Sequence, residues 1–282
     1  MTATGERWPG DMELLLWPTT FLLGLIFGSF LNVCIYRIPR DLSIVAPRSF
    51  CPECGEQLSW LQNIPVFSYL SLGGRCRSCA KSIGIRYPLV ELSTAILFLI
   101  TALKFGFTLL SLKWIVFESL LVILFWTDLE ERILPDEITL GGSVAALILA
   151  SLVTVPGSFG ALLLPGWRLT WQSLLNAGFG ALLLALPIWL VGAAYGRLRG
   201  CEALGLGDVK LLTMLGLFLG PESGLLALLI GAVGGSIVGI GLWIWTKQDS
   251  RCYELPFGSF LCAGAVLIPF LSARWQSPLA VP

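Results

Sequence analysis

Eight stretches of this chain are each long and apolar enough to cross a lipid bilayer, and that decides most of what it can fold into. A spanning helix needs about 20 predominantly apolar residues, because hydrocarbon offers backbone N–H and C=O groups no partner but each other. By that ruler the spans run approximately over 14–36, 88–104, 107–127, 137–155, 172–196, 203–220, 222–245 and 255–272. The expected fold is an all-α polytopic membrane protein embedded in a bilayer. Its composition agrees, with 13% charged residues where soluble domains carry roughly 25%. The first run, Leu14 to Tyr36, is followed by no small-residue cleavage signal and reads as a retained helix. The sixth run is the weakest, since it must include Asp208 and Lys210 to reach full length.

Lysine and arginine set the orientation. With the 37–87 loop cytoplasmic, Arg7, Lys104, Lys113, Arg168 and Arg274 fall outside, and all the other basic residues fall inside. Asp128, ending span three, and Asp208, opening span six, then come out at one depth, the cytoplasmic face. The formal net charge is zero and gives no sign of a nucleic-acid partner.

Residues 37–87 are the only polar insertion long enough to fold on their own, so the chain divides into 1–36, this small module, and a membrane-embedded remainder over 88–282. Inside the module stand CPEC, with Cys51 and Cys54, and CRSC, with Cys76 and Cys79. Paired C-x-x-C knuckles at about this separation deliver four thiolates to a tetrahedral zinc. Two disulfides are the competing arrangement, but a cytoplasmic loop is kept reduced, which favours metal. Four thiolates leave no open position, so such a zinc is structural. Cys34, Cys201, Cys252 and Cys262 fit no ligand spacing and read as small buried apolar residues.

The chain has no histidine, which removes Ser-His and Cys-His pairs and any imidazole base. Ionisable residues in spans are costly and point to function. Asp128 lies in WTDLEERILPDEITL where span three stops; taken alone it could simply end a helix. Asp136 follows Pro135 and suits a helix N-cap, while Glu130, Glu131 and Arg132 read as a solvated loop. Asp208 lies in GLGDVKLL, where Gly205 and Gly207 clear space for close approach of backbone, water or an extended substrate, although a helix cap is also compatible. Lys210 is two residues from Asp208 and cannot face it on a helix; it either snorkels to the interface or orients substrate. Glu91 and Glu118, with no opposite charge nearby in sequence, either line a polar cavity or bond across helices, and structural roles are slightly favoured. Two carboxylates brought together share a proton, so one can activate water while the other polarises a carbonyl. The same three acids, Asp128, Asp208 and Glu118, could instead form the proton relay of a transporter. The pentapeptide FGSFL occurs twice, at Phe27–Leu31 and Phe257–Leu261. Five residues are too few to claim an internal repeat, and the small residues suit close helix packing.

FGSFLNVCIYRIP, the two knuckles, RYPLVELSTA, the D-x6-PD run from Asp128 to Asp136, and GLGDVKLL together resemble the bacterial type IV prepilin peptidases, the prepilin leader peptidase/N-methyltransferase family. The resemblance covers nearly the whole chain. It implies an aspartic peptidase of the inner membrane that cuts the basic leader from prepilins and type II secretion pseudopilins after a glycine, at the cytoplasmic face. Asp128 and Asp208 match the family's catalytic pair; Asp136 belongs to the pattern without being one of the two. The resemblance also implies methylation of the new N-terminus with S-adenosylmethionine, with no residues assigned to it. Presenilin-type peptidases resemble the chain only around Asp208 and lack the cysteine module. Residues Pro156 to Trp171 match no motif and carry no expected role.

Overall fold

The computed structural model describes residues 10–199, 205–246 and 256–271. Cys201 and Cys252, and the basic residues Arg7, Lys247, Arg251 and Arg274 of the orientation count, lie outside the described residues. Among those described the structure is helical: α1 (Gly10–Arg37), α2 (Phe67–Ser71), α3 (Arg86–Phe105), α4 (Leu109–Glu131), α5 (Asp136–Leu152), α6 (Ser158–Leu163), α7 (Leu169–Arg199), α8 (Leu206–Thr246) and α9 (Phe257–Leu271). Five of these, α1, α3, α4, α7 and α8, are long and apolar enough to cross a membrane. The shorter α5 and α9 account for the fourth and eighth expected spans.

The sixth and seventh expected spans are both found in α8. A straight helix of 41 residues would run roughly 60 Å, twice the hydrocarbon thickness. Gly220 interrupts it with φ 75° and ψ −177°, immediately before Pro221. A side chain at Gly220 would meet the Pro156 carbonyl oxygen at 2.9 Å, so glycine is needed there for space as well as for backbone angle. The break separates residues 206–219 from 221–246.

The chain packs as two compact units, 1–123 and 124–282, with the division inside α4. In the first, α1 lies against α3 through glycines: a Cβ on Gly24 would fall 2.5 Å from the Ala95 Cα, and one on Gly28 would fall 2.6 Å from the Glu91 Cα. Small residues let helices approach closely where no hydrophobic force drives them together in lipid. Glu118, on α4, accepts a hydrogen bond from Thr101 on α3 at 2.5 Å, the bond across helices expected for it.

In the second unit, α7 and α8 cross at Gly180 and Gly216, and α8 and α9 at Gly231 and Gly264, each backed directly by main chain. These crossings fix α9 in place. The unassigned run after α5 folds back as the short helix α6. Asn176 of α7 holds it, its Oδ1 accepting from the Gly160 N–H at 2.6 Å and its Nδ2 donating to the Val155 and Gly157 carbonyls.

Candidate active site and metal centre

The four cysteines of the polar module come together in the first unit. Their sulfurs all lie within 4.8 Å of one another, and tetrahedral zinc with bonds of about 2.3 Å requires sulfurs about 3.8 Å apart. Each knuckle has the same construction. Gly55 (φ 72°) and Ala80 (φ 57°) take left-handed angles one residue past the second cysteine. Their N–H groups donate to the Cys51 and Cys76 carbonyls, both at 2.9 Å. Lys81 joins the knuckles by donating to Glu53 at 2.6 Å. The donor chemistry fits a cation. The N–H groups of Cys79 and Ser78 bring the Cys76 thiol down to about 7. At Cys54 the Glu56 N–H pulls downward, but burial and the Cys51, Cys79 and Cys76 thiols outweigh it and push that thiol up to about 12. Four thiols this close can ionise together only around a positive ion. Behind the module, the buried Arg37 donates to the Ser43 and Pro47 carbonyls at 2.8 and 2.7 Å, tying the loop to the end of α1.

In the second unit, Asp128 is in the last turn of α4 and only 6% exposed. That helix extends past it through Glu130 and Glu131, which are therefore helical and not loop. It stops at Arg132, whose left-handed φ of 55° and N–H to the Asp128 carbonyl close the end. Asp208 stands half-buried in the first turn of α8. Each aspartate lies within range of the other's charge, and the buried Cys262 thiol lies within range of both.

Leu134 is the physical spacer at this meeting point. Its side chain lies 3.2 Å from where a Cβ on Gly207 would sit and 3.2 Å from where one on Gly258 would sit. Gly207 therefore packs on Leu134, whereas for Gly205 the nearest atom among the described residues is the Gly207 nitrogen at 4.0 Å. Asp136 is the first residue of α5, with Pro135 and not Asp136 in the N-cap position. The expected cap is replaced by an ion pair: Lys210 donates to both Asp136 carboxylate oxygens, at 2.6 and 2.7 Å. This joins the start of α5 to the first turn of α8. Lys210 thereby reaches across to a second helix.

Two residues of this site were not singled out by sequence reasoning. The Ser259 N–H donates to Asp128 Oδ2 at 2.6 Å, and the Ser259 hydroxyl lies 2.8 Å from the same oxygen and 3.0 Å from the Phe125 carbonyl. A hydroxyl has one proton and two lone pairs. Facing an ionised Asp128 it donates to the carboxylate; facing a protonated one it accepts from it and donates to Phe125. Gly258 stands directly behind, where a Cβ would lie 3.1 Å from the Asp128 carboxylate carbon and from Oδ2. The available signal was the second FGSFL, whose Gly and Ser are these two residues.

The fold and site define a class: a polytopic helical membrane protein with a four-cysteine cluster that can hold a metal ion in one compact unit and a pair of acids from different helices in the other. Residues 22–105 match the Bacterial Peptidase A24 N-terminal domain, and residues 115–240 match the Type IV leader peptidase family. The chain is 41% identical over 245 residues to a prepilin leader peptidase/N-methyltransferase of Myxococcus xanthus, covering 87% of this chain and 68% of that protein. Proteins of the same name from Pseudomonas aeruginosa and Xanthomonas campestris pv. campestris are each 34% identical, over 86% and 90% of this chain and the same shares of their own lengths. This chain belongs to the type IV leader peptidase family. No solved structure matches it. The four cysteines fall in the first matched segment and both aspartates in the second; Gly258 and Ser259 lie beyond either.

Proposed function

We propose that this protein is a membrane aspartic endopeptidase that removes the leader from type IV prepilins and type II secretion pseudopilins, after a glycine at the cytoplasmic face of the inner membrane. It then methylates the new N-terminus with S-adenosylmethionine. The observation that carries the peptidase reading is the meeting of Asp128 and Asp208 from different helices, with one Asp128 oxygen held by Ser259. The relatives' shared name supports both activities. Neither the family nor these relatives point to transport.

Two acids in electrostatic contact hold one proton between them more readily than none. The ionised carboxylate takes a proton from water as the water oxygen attacks the scissile carbonyl, and the protonated one donates a hydrogen bond to the carbonyl oxygen. Collapse of the tetrahedral species breaks the C–N bond, and the departing amine takes up the proton that the carboxylate had taken from water. The pair titrates as a unit, so acid and base are roles of the pair. Ser259 keeps Oδ2 oriented in both protonation states, leaving Oδ1 for water or substrate. The opening beside Gly205 suits an extended peptide.

Cys51, Cys54, Cys76 and Cys79 would hold a zinc ion that staples a module too small for a core of its own. S-adenosylmethionine, as a sulfonium, supplies an activated methyl group for the amine that cleavage exposes.

Purified enzyme incubated with a prepilin and S-adenosylmethionine tests the whole proposal by product mass. The expected products are the free leader and a mature chain one methyl group heavier than its sequence. An uncut prepilin would overturn the peptidase reading, and a cut chain without the added methyl would overturn the methyltransferase reading.

A further inference from the structure

The first copy of FGSFL does in the first unit what the second copy does at Asp128. Gly28 brings α1 against the Glu91 main chain, and the next residue, Ser29, places its hydroxyl near enough to favour the Glu91 carboxylate's charged form. Gly258 and Ser259 likewise stand beside an acid, Gly258 against the Asp128 carboxylate itself and Ser259 bonded to it. One glycine-serine device thus presents two buried acids, one in each compact unit.

Glu91 is not sealed in packing. It lines a cavity of about 360 Å³ bounded by α1, α3 and the cysteine module, within the range of about 300–1,000 Å³ typical of small-molecule sites. Glu91 Oε2 accepts from the Val66 N–H at 2.7 Å. Asn32, 3% exposed, lines the same cavity. Its amide nitrogen donates to the Tyr87 carbonyl at 3.0 Å, an atom that can only accept, so the amide orientation is settled. Its Oδ1 is buried with no partner among the described residues. An orphaned acceptor of this kind costs about 1–3 kcal/mol. The wall also carries Tyr36, Phe50, Tyr69 and Tyr87.

A carboxylate beside an unpaired acceptor, in an aromatic-walled cavity that Arg37, Arg77 and Lys81 also line, suits a ligand with a positive centre placed at Glu91, hydrogen-bond donors and a flat ring. S-adenosylmethionine has all three: a sulfonium, ribose hydroxyls with an adenine amine, and a purine that stacks on aromatic faces. We infer that this cavity is the methyl-donor site, with Glu91 facing the sulfonium and Asn32 Oδ1 accepting from the ligand. The inference rests on the methyltransferase reading and gives it residues of its own, separate from the aspartate pair. In the transfer the amine lone pair forms the new C–N bond, the C–S electron pair stays on sulfur, and nitrogen releases its proton to water. Positive charge passes from sulfur to nitrogen within reach of one carboxylate.

Calorimetric titration of the purified full-length enzyme with S-adenosylmethionine and with neutral S-adenosylhomocysteine tests this, with prepilin cleavage as the check on folding. Wild type binds the sulfonium form more tightly. Glu91→Gln weakens that form by about 10- to 100-fold, the range of a lost contact to a charged group, leaves the neutral form little changed and still cleaves. Ultraviolet cross-linking of labelled S-adenosylmethionine to wild type needs no variant, and the label maps within residues 29–91. Unchanged binding in a cleaving Glu91→Gln enzyme, or a label mapping within 124–282, overturns the site while the methyltransferase reading stands. A wild type that cleaves yet binds no S-adenosylmethionine overturns both.

Discussion

Gly258→Ala perturbs the aspartate pair without touching either carboxyl chemically. The added Cβ would stand 3.1 Å from Asp128 Cγ and Oδ2 and 3.2 Å from Leu134 Cδ1. Carbon contacts settle at about 3.5–4.0 Å, so the neighbours must retreat by about 0.4 Å. Leu134 presents the flexible end of its side chain and gives way first, over a Gly207 that has no side chain to resist it; the Asp128 carboxylate, held by Ser259, yields less easily. The Asp128 carboxylate takes up the rest and is pulled from the 2.6 Å bond to the Ser259 N–H. A misplacement of 1 Å in a catalytic group costs about 100-fold in rate, so 0.4 Å scales to about sixfold. The assay is kcat for prepilin cleavage in detergent micelles, with thermal unfolding as the check on folding. A folded Gly258→Ala enzyme with wild-type kcat would refute the claim that this glycine sets the carboxylate's position.

Ser259→Ala removes the hydroxyl and keeps the N–H, and a lost charge-assisted bond of about 1.5–3 kcal/mol predicts a fall in kcat of about 10-fold or more. Ser259→Thr, which restores the hydroxyl, recovers part of that loss, whereas a purely packing role would not distinguish the two. Gly205→Ala meets no neighbour closer than 4.0 Å among the described residues, so the fold is retained by thermal unfolding while KM rises if an extended peptide uses that opening; an unchanged KM would place the substrate elsewhere. Chelation of the metal disorders the cysteine module, followed by circular dichroism and by zinc released. The loss becomes easier as pH falls: Cys76 sits below its ordinary value, at about 7, so its thiolate is fully available above about 9 and protons compete for it as pH drops through 7. Metal retention independent of pH between 8 and 5 would contradict four-thiolate ligation.

Much of this architecture was legible in the chain because lipid imposes a length rule on every span. The Gly220–Pro221 break fell where the sixth and seventh apolar runs had been divided, and the C-x-x-C pairs announced their own meeting. Charge asymmetry assigned Asp128 and Asp208 one depth in the sequence; the structure puts Asp208 within range of the Asp128 charge. What stayed hidden depended on which faces of helices touch. Asp136 looks like a cap beside Pro135, and only the approach of α8 shows that its carboxylate answers Lys210. Gly207 looks like open space but is filled by Leu134, while Gly205 keeps the opening expected of both. FGSFL was the clearest missed signal. A five-residue repeat is weak as evidence of duplication, yet each copy lets a helix close beside an acid, and the second bonds its acid through a serine. That pairing is tertiary, and no periodicity reveals it.

Replacing each aspartate with its uncharged isostere tests the central claim most directly. Asp128→Asn, Asp208→Asn and the double variant, each purified and shown to be folded, are assayed for leader removal from a prepilin by product mass. Groups acting as a unit are grossly non-additive, so each single variant loses essentially all cleavage and the double loses no more. Substantial cleavage by either folded single variant would contradict the shared-proton pair and, with it, this account of the site.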